Sequence, residues 1–449
     1  MRRIIFIICL LWVSIFFTHA YAQTRAMGLD ECMAYAVENS TKVKIQDFTN
    51  DNYRQNKNAA LGSFFPTLSA NVDGSANFGR SIDPETNTYT NTTNYGNGYS
   101  ASSSMTIFNG LANINTYKAS KVAILMGKED LERIKDEVAL ETMDAYFNVV
   151  YYSKTAEYAM EKLEASRTNY AKGLKMEELG MQSMAEVLEL EAQVASDEYN
   201  LLTQENNRDI ALITLKEKMN YPIEEELSVD VRILVESAIV GSPVHEIIAY
   251  ASENDPRIKS AGLSLKEAEL NYKITKGGLF PNISLGGSFS TGYSHNPDYV
   301  PSDPAYAQAS FAQQLKDKQG YGVGLSLSIP IFNGLNRRTN VNRQRNYLRI
   351  AEQNKIAAET ALQSEIEQNY MQMQGFGKQY LQATKKVEAS TLAHKAVVQK
   401  YEQGLISAFD LQTSANRVLE AQSEQLNARL QYIIKCRLME YYTGEPLIR

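Results

Sequence analysis

Apolar positions recur along this chain with two different periods. In residues 68–78, Leu68, Ala70, Val72, Ala76 and Phe78 alternate with Ser69, Asn71, Asp73, Ser75 and Asn77, the period of a strand with one apolar face. Tyr99, Ala101, Met105 and Ile107 alternate likewise with Ser100, Ser102, Ser104 and Thr106. Two later segments repeat the design: Ile283, Leu285, Phe289 and Tyr293 against Asn282, Ser284, Ser288 and Ser290, then Tyr321, Val323, Leu325, Leu327, Ile329 and Ile331 against Gly322, Gly324, Ser326 and Ser328. The pattern predicts four strands of about 10 to 12 residues, near the length a tilted membrane-spanning strand needs. Their polar faces carry Ser, Asn and Gly rather than Lys and Glu, which suits a wall turned toward a water-filled lumen. Phe65, Tyr99, Phe108, Phe280, Tyr321 and Phe332 are placed as interfacial aromatics at strand ends.

Everywhere else the apolar steps are helical. Leu411, Ala415, Val418, Leu426, Leu430, Ile433 and Leu438 form one such stripe, with spacings of three, four or near seven. Residues 110–180 and 334–404 predict two long helices, each roughly 105 Å if continuous. Both end alike, in Gly180-Met181-Gln182-Ser183 followed by Glu186, and in Gly404-Leu405-Ile406-Ser407 followed by Asp410. The glycine can take the left-handed conformation that stops a helix, and Ser-x-x-Glu or Ser-x-x-Asp is a capping box that starts the next. Tight helical hairpins are therefore expected. Residues 183–219, 244–277, 407–441 and 29–61 supply shorter helices of roughly 50 Å each. Between them, Leu227, Val229, Val231, Ile233 and Val235 alternate with Ser228, Asp230, Arg232 and Glu236, which predicts a short strand.

The chain is also a duplication. Ala34-Tyr35-Ala36 and Phe65-Pro66 recur at one constant spacing as Ala249-Tyr250-Ala251 and Phe280-Pro281. Phe108-Asn109-Gly110-Leu111, Ser183 and Pro222 recur at a slightly longer one as Phe332-Asn333-Gly334-Leu335, Ser407 and Pro446. The single change of spacing falls between Pro281 and Phe332, so a surface loop is expected there. The expected organisation is a leader over 1–22, a first repeat over 23–222 with its strand pair at 66–108, a linker over 223–243, and a second repeat over 244–449 with its strand pair at 281–332. Pro66, Phe108, Gly110, Pro281, Phe332 and Gly334 mark the junctions of strand and helix.

Four strands cannot close a barrel, and an open edge is not tolerated in lipid. Copies must share one. Two would give eight strands and an interior filled by side chains; three would give twelve and a real opening, so a homotrimer is expected.

Composition narrows the class. Arg2 and Arg3, an apolar run and Ala20-Tyr21-Ala22 read as an export leader rather than a membrane helix. The net charge of −7 speaks against a nucleic-acid partner. Outside the leader only Cys32 and Cys436 occur, too few for a disulfide framework, and two free thiols are expected. His19, His245, His295 and His394 are scattered, and no metal motif, nucleophile elbow or cofactor fingerprint is present. Gly320-Tyr321-Gly322-Val323-Gly324 lies in a period-2 strand and does not make a nucleotide loop. No enzyme and no cofactor are expected. A periplasmic coiled-coil scaffold or adhesion protein is the rival reading, although it has no use for lipid-length strand pairs.

Taken together, these residues resemble the TolC-like outer-membrane factors over essentially the whole chain. The resemblance rests on the duplicated halves, the Pro-led strand, Pro330-Ile331-Phe332-Asn333-Gly334 at the exit from strand to helix, and Tyr401-x-x-Gly404-x-x-Ser407 at the hairpin. It implies a mainly α protein with a transmembrane β part, four strands per chain in a shared 12-stranded barrel above a 12-helix tunnel. It further implies an outer-membrane location, a periplasmic adaptor docked at the tip and an inner-membrane pump beyond it. Carried onto this chain, adaptor docking falls on Gly180, Met181, Gln182, Ser183 and Glu186 and on Tyr401, Gly404, Leu405, Ile406, Ser407 and Asp410, with Leu405 and Ile406 as exposed anchors. The first half departs from the pattern, with Glu177 standing where Tyr401 stands in the second and no proline matching Pro330. Glu177, Glu178, Glu402 and Asp410 are candidates for an acidic ring at the tunnel entrance.

Overall fold

The structure, a computed structural model, describes residues 26–82, 87–232, 243–297 and 307–448. The expected leader, and Ile233, Val235 and Glu236 of the expected linker strand, lie outside these residues. In chain order the elements are α1 (Leu29–Asn39), α2 (Thr41–Gly62), β1 (Thr67–Ile82), β2 (Tyr89–Asn109), α3 (Ala112–Glu178), α4 (Met184–Met219), α5 (Val244–Asn254), α6 (Pro256–Gly277), β3 (Asn282–His295), α7 (Phe311–Asp317), β4 (Gly320–Ser328), α8 (Asn336–Glu402) and α9 (Ala408–Tyr442). Two compact units result. One is drawn from the chain up to Asp47, Asp130–Ile258 and the chain from Ala358 onward; the other comprises Phe48–Glu129 and Lys259–Ala357.

The first unit is helical. Met33, Val149, Val150, Leu215 and Met219 centre one buried cluster, and Ile247, Ile366 and Met439 another. Cys32 lies in the former and Cys436 in the latter, both buried and both free. Burial, then Glu31, pushes the Cys32 thiol up to about 12. Of the expected linker strand, the described part contributes a single parallel bridge, Met27 to Val229.

Two expected helices are broken. The spans 29–61 and 244–277 stop and restart at Ser40 and Asp255, whose backbones are extended at φ −58°, ψ 127° and φ −61°, ψ 128°. In the second repeat the break is encoded by Pro256, which excludes Asp255 from the helical region and has no N–H to donate. The Asp255 carboxylate then accepts from Arg257 N (2.8 Å).

The two breaks are repeat-equivalent, and so is what holds them. In the first, Lys42 pairs with Glu141 (2.8 Å) and Glu137 (3.1 Å), and Lys218 also reaches Glu141 (3.3 Å). In the second, Arg257 bridges Asp255 (2.9 Å) and Glu365 (2.7 Å), while Tyr442 donates to Glu365 (2.7 Å). Lys42, Glu141 and Lys218 correspond in the duplication to Arg257, Glu365 and Tyr442. The Lys42 ammonium holds the Glu141 carboxyl below its ordinary value.

The second unit holds one antiparallel sheet in the order β1-β2-β3-β4. Its strands have 16, 21, 14 and 9 residues, so β1, β2 and β3 outrun the expected length. Backbone pairing of β1 with β2 continues past the alternating segment to Ile82 opposite Tyr89, because a ladder needs no apolar face to propagate. Tyr99 consequently falls inside β2 rather than at its end. β4 stops at Ser328, ahead of Pro330, which cannot donate to a ladder.

The interval expected to be a plain loop carries α7. Above Ser290 the outer edge of β3 has no β4 beside it. There Gln314, buried, donates to the Ser294 carbonyl (3.0 Å) and accepts from its N–H (3.0 Å), supplying the pair of bonds a further strand would make.

The kinks differ in burial, which sets their sensitivity. The Asp255 side chain is 2% exposed, whereas Lys42 is 49% exposed. Arg257→Met strands a buried carboxylate and is expected to cost about 2 kcal/mol; Lys42→Met should cost less than about 1 kcal/mol. Urea unfolding in detergent, followed by helical circular dichroism, measures both.

Candidate functional site

Both helical hairpins of the first unit are built by the same local chemistry. At Gly180 (φ 69°) the N–H bonds Glu177 O (2.8 Å) and the next N–H, of Met181, bonds Met176 O (2.8 Å). At Gly404 (φ 68°) the matching bonds run to Tyr401 O (2.9 Å) and from Leu405 to Lys400 O (3.0 Å). This double closure satisfies the last carbonyls of α3 and α8 and turns the chain sharply. Ser183 then accepts from Glu186 N (3.3 Å) while its own N–H reaches the Glu186 carboxylate (3.1 Å). Ser407 and Asp410 do the same at 3.2 and 3.3 Å.

The apolar side chains around these turns sort differently from the sequence expectation. Leu405 is 67% exposed, but Ile406 is not an exposed anchor: it packs with Leu190, Tyr401, Ala408 and Leu411. Tyr401 is itself buried there and accepts at its hydroxyl from Gln182 (3.2 Å). The exposed apolar groups are Leu179, Met181, Met184 and Leu188 on the first hairpin and Leu405 and Phe409 on the second. Leu179, Met184, Leu188 and Phe409 escape a motif-based reading because they flank the Gly and Ser positions instead of forming them.

The expected acidic ring is thinned. The Asp410 carboxylate is engaged by its cap, and Glu402 pairs with Lys172 (3.0 Å). Glu177 is half-buried and Glu178 exposed, and neither enters an ion pair among the described residues.

A buried polar cluster lies between α3, α4 and α9. Asp197, 3% exposed, receives Lys162 (2.6 Å), Ser166 (2.6 Å) and Gln193 (2.6 Å), and Lys162 also donates to Asn416. His394 on α8 accepts or donates to Ser414 (2.9 Å), and burial holds its imidazole below its ordinary value. The signal was present in the sequence: Gln193 and Asp197 interrupt the stripe that Val187 and Leu190 begin.

In the second unit the register sorts the sheet into two faces. Ser69, Ser102, Ser288 and Gly322 align across the strands on one face; Ala70, Ala101, Phe289 and Tyr321 align on the other. A bulge at Ile107 returns Phe108 to the apolar face, opposite Ile283. Leu68 is 81% and Val323 86% exposed, so none of the described residues covers this face at either position. The junctions to α3 and α8 each use two consecutive positive φ angles, Gly110 (66°) with Leu111 (63°) and Gly334 (65°) with Leu335 (65°). The leucines pay for this conformation with about 1 kcal/mol of strain each. Pro66 and Pro281 stand one residue before β1 and β3, and Phe332 lies exposed beyond β4.

No helix among the described residues is long and apolar enough to cross a membrane. Among the described residues the sheet has one uncovered apolar face and one face of mainly small polar groups, and the chain runs on from it into long helices that turn in capped hairpins. The family model for outer membrane efflux proteins matches residues 35–220 and 247–444. The chain belongs to that family, whose members are channels and not enzymes. Toxin and drug export protein A of Aggregatibacter actinomycetemcomitans is 21% identical over 310 residues, 68% of this chain, and the match spans 63% of that relative's length. The outer membrane protein VceC of Vibrio cholerae has the same fold, with a TM-score of 0.76 at 12% identity over 93% of this chain and 96% of that one. The CmeC outer membrane channel of Campylobacter jejuni gives 0.73 at 17% identity, over 93% and 87%. The fold is that of the TolC-like channels.

Lys162→Met leaves Asp197 charged and buried without its cation, and is expected to cost about 3 kcal/mol. Lys162→Met combined with Asp197→Leu should recover most of that loss, because the buried charge goes with its partner. Urea midpoints of the two variants decide the matter.

Proposed function

We propose that three copies of this chain close one 12-stranded barrel in outer-membrane lipid and continue as a helical tunnel. The assembly is a passive exit duct, fed from a periplasmic adaptor and an inner-membrane pump. The observation that carries this reading is the sheet: among the described residues its apolar face is uncovered, its polar face is made mainly of Ser, Asn, Thr and Gly with Asp73 among them, and its outer strands β1 and β4 have no further strand beside them. In lipid such edges must be paired. An even number of antiparallel strands per copy lets β4 meet the next β1 antiparallel, so that the ladder can close without a mismatch. The basic-apolar leader with Ala20-Tyr21-Ala22 supports export to this location.

The hairpins are proposed as the adaptor-docking surface. The capped turns Gly180 to Glu186 and Gly404 to Asp410 present Met181 and Leu405, joined by Leu179, Met184 and Phe409, as the apolar anchors. Glu177 and Glu178 would be the carboxylates left to attract cations at the entrance. The coiled-coil scaffold reading leaves the two-faced sheet without a purpose. Selection of what passes through falls to the pump.

The test is single-channel conductance of the purified protein in a planar bilayer, with its mass in detergent measured alongside. Discrete conductance from a trimer is expected. A monomer without conductance would overturn the proposal.

A further inference from the structure

The seam between copies can be read from inside one copy. The join of β2 to β3 is the join between the two repeats, and β4 and β1 are the repeat-equivalents of β2 and β3. Within the chain Gly96 lies opposite Ser294 and Ser104 opposite Gly286. Their equivalents are Gly320 and Gly79, and Ser328 and Asn71. Resting on the shared-barrel reading above, we infer that β4 of one copy pairs with β1 of the next in this register, from Gly320 opposite Gly79 to Ser328 opposite Asn71.

The side chains agree with it. Tyr321, Val323, Leu325 and Leu327 then meet Phe78, Ala76, Gly74 and Val72 on the apolar face, while Gly322, Gly324 and Ser326 meet Asn77, Ser75 and Asp73 on the polar face. A slip of one residue in either direction would set Val323, Leu325 and Leu327 beside Asn, Ser or Asp side chains. Tyr321, already 5.2 Å from the ring of Phe289, gains Phe78 on its other side.

A second observation is independent of the strands. At the junction inside the chain, Gly110 and Gly277 touch backbone to backbone: a Cβ on Gly110 would lie 2.2 Å from Gly277 O, and one on Gly277 would lie 2.7 Å from Gly110 O. Their equivalents are Gly334 and Gly62. Each of these has nothing within 4 Å of a Cβ. Gly62 ends α2 without a positive φ, so neither space nor backbone conformation within the chain calls for glycine there. Across the seam, Gly334 of one copy would meet Gly62 of the next, as Gly110 meets Gly277.

Cysteine pairs in the full-length protein test the register. The matched pairs are Asp73→Cys with Ser326→Cys on the polar face and Ala76→Cys with Val323→Cys on the apolar face. Successive pairs in an antiparallel ladder alternate between wide and narrow, so one of these two is a narrow pair suited to a disulfide. The displaced controls are Asn71→Cys or Ser75→Cys, each with Ser326→Cys. Within one copy β1 and β4 stand about 14 Å apart, three strand spacings, which prevents a bridge inside the chain. The native thiols are buried and do not compete.

After oxidation in membranes, a matched pair should run as a covalent trimer on non-reducing gels and the displaced pairs should not. Gly62→Leu should abolish the trimer in detergent while leaving the helical signal of the chain intact. A displaced pair that cross-links in preference overturns the register and leaves the shared barrel standing. No cross-link from any pair, with the trimer mass retained, overturns the β4–β1 seam. A Gly62→Leu protein that stays trimeric overturns the glycine contact. If the unsubstituted chain is itself a monomer, the barrel reading fails, and the seam with it.

Discussion

The backbone hydrogen bond at a sheet edge is the constraint on which this protein turns. Every N–H and C=O placed in hydrocarbon must be satisfied within the protein, yet a sheet of four strands leaves two edges unsatisfied however it is folded. The chain meets the same demand at one place by itself: where β4 does not reach, the amide of Gln314 completes the outer edge of β3. Along β1 and β4 no described side chain does the same, and the proposed barrel supplies the missing partners from other copies. The even number of strands suits this requirement in the proposed barrel, since it lets the two open edges meet antiparallel.

Duplication explains why the rest of the molecule has the form it has. Each half turns a long helix sharply into the next, and each does so with a left-handed glycine followed by a capping box. The returning spans are interrupted at Ser40 and Asp255, and cations two residues on, Lys42 and Arg257, fasten each break to an equivalent glutamate, Glu141 or Glu365. The geometry has been kept while the chemistry drifted: a lysine became an arginine or the reverse, and Lys218 stands where Tyr442 stands. The second version is the more buried and the more demanding, because a carboxylate out of water tolerates no loss of its partner.

Much of this was legible in the residues. Alternation at Leu68 to Phe78 and at Tyr321 to Leu327 marked strands because small polar residues leave the period unambiguous. Gly180 with Ser183, and Gly404 with Ser407, marked the turns because few residues can end and restart a helix so abruptly. Asp255-Pro256 was as plain a break as either, but it sits within a helical stripe whose apolar period continues across it. Gly110-Leu111 hid its second positive φ, since leucine carries no signal for that conformation. The partial burial of Ile406 and the exposure of Phe409, neighbours on one turn, depended on which helix lay alongside.

The sequence by itself determined the elements, the repeat, the capped hairpins and the two-faced character of the strands, since these follow from period, spacing and backbone preference over a few residues. Only the tertiary structure decided the pairing register and bulge that align the faces, the fastening of the kinks, and the burial of Lys162 with Asp197. Each of these depends on groups far apart in the chain, whose meeting is set by packing and not by any local pattern.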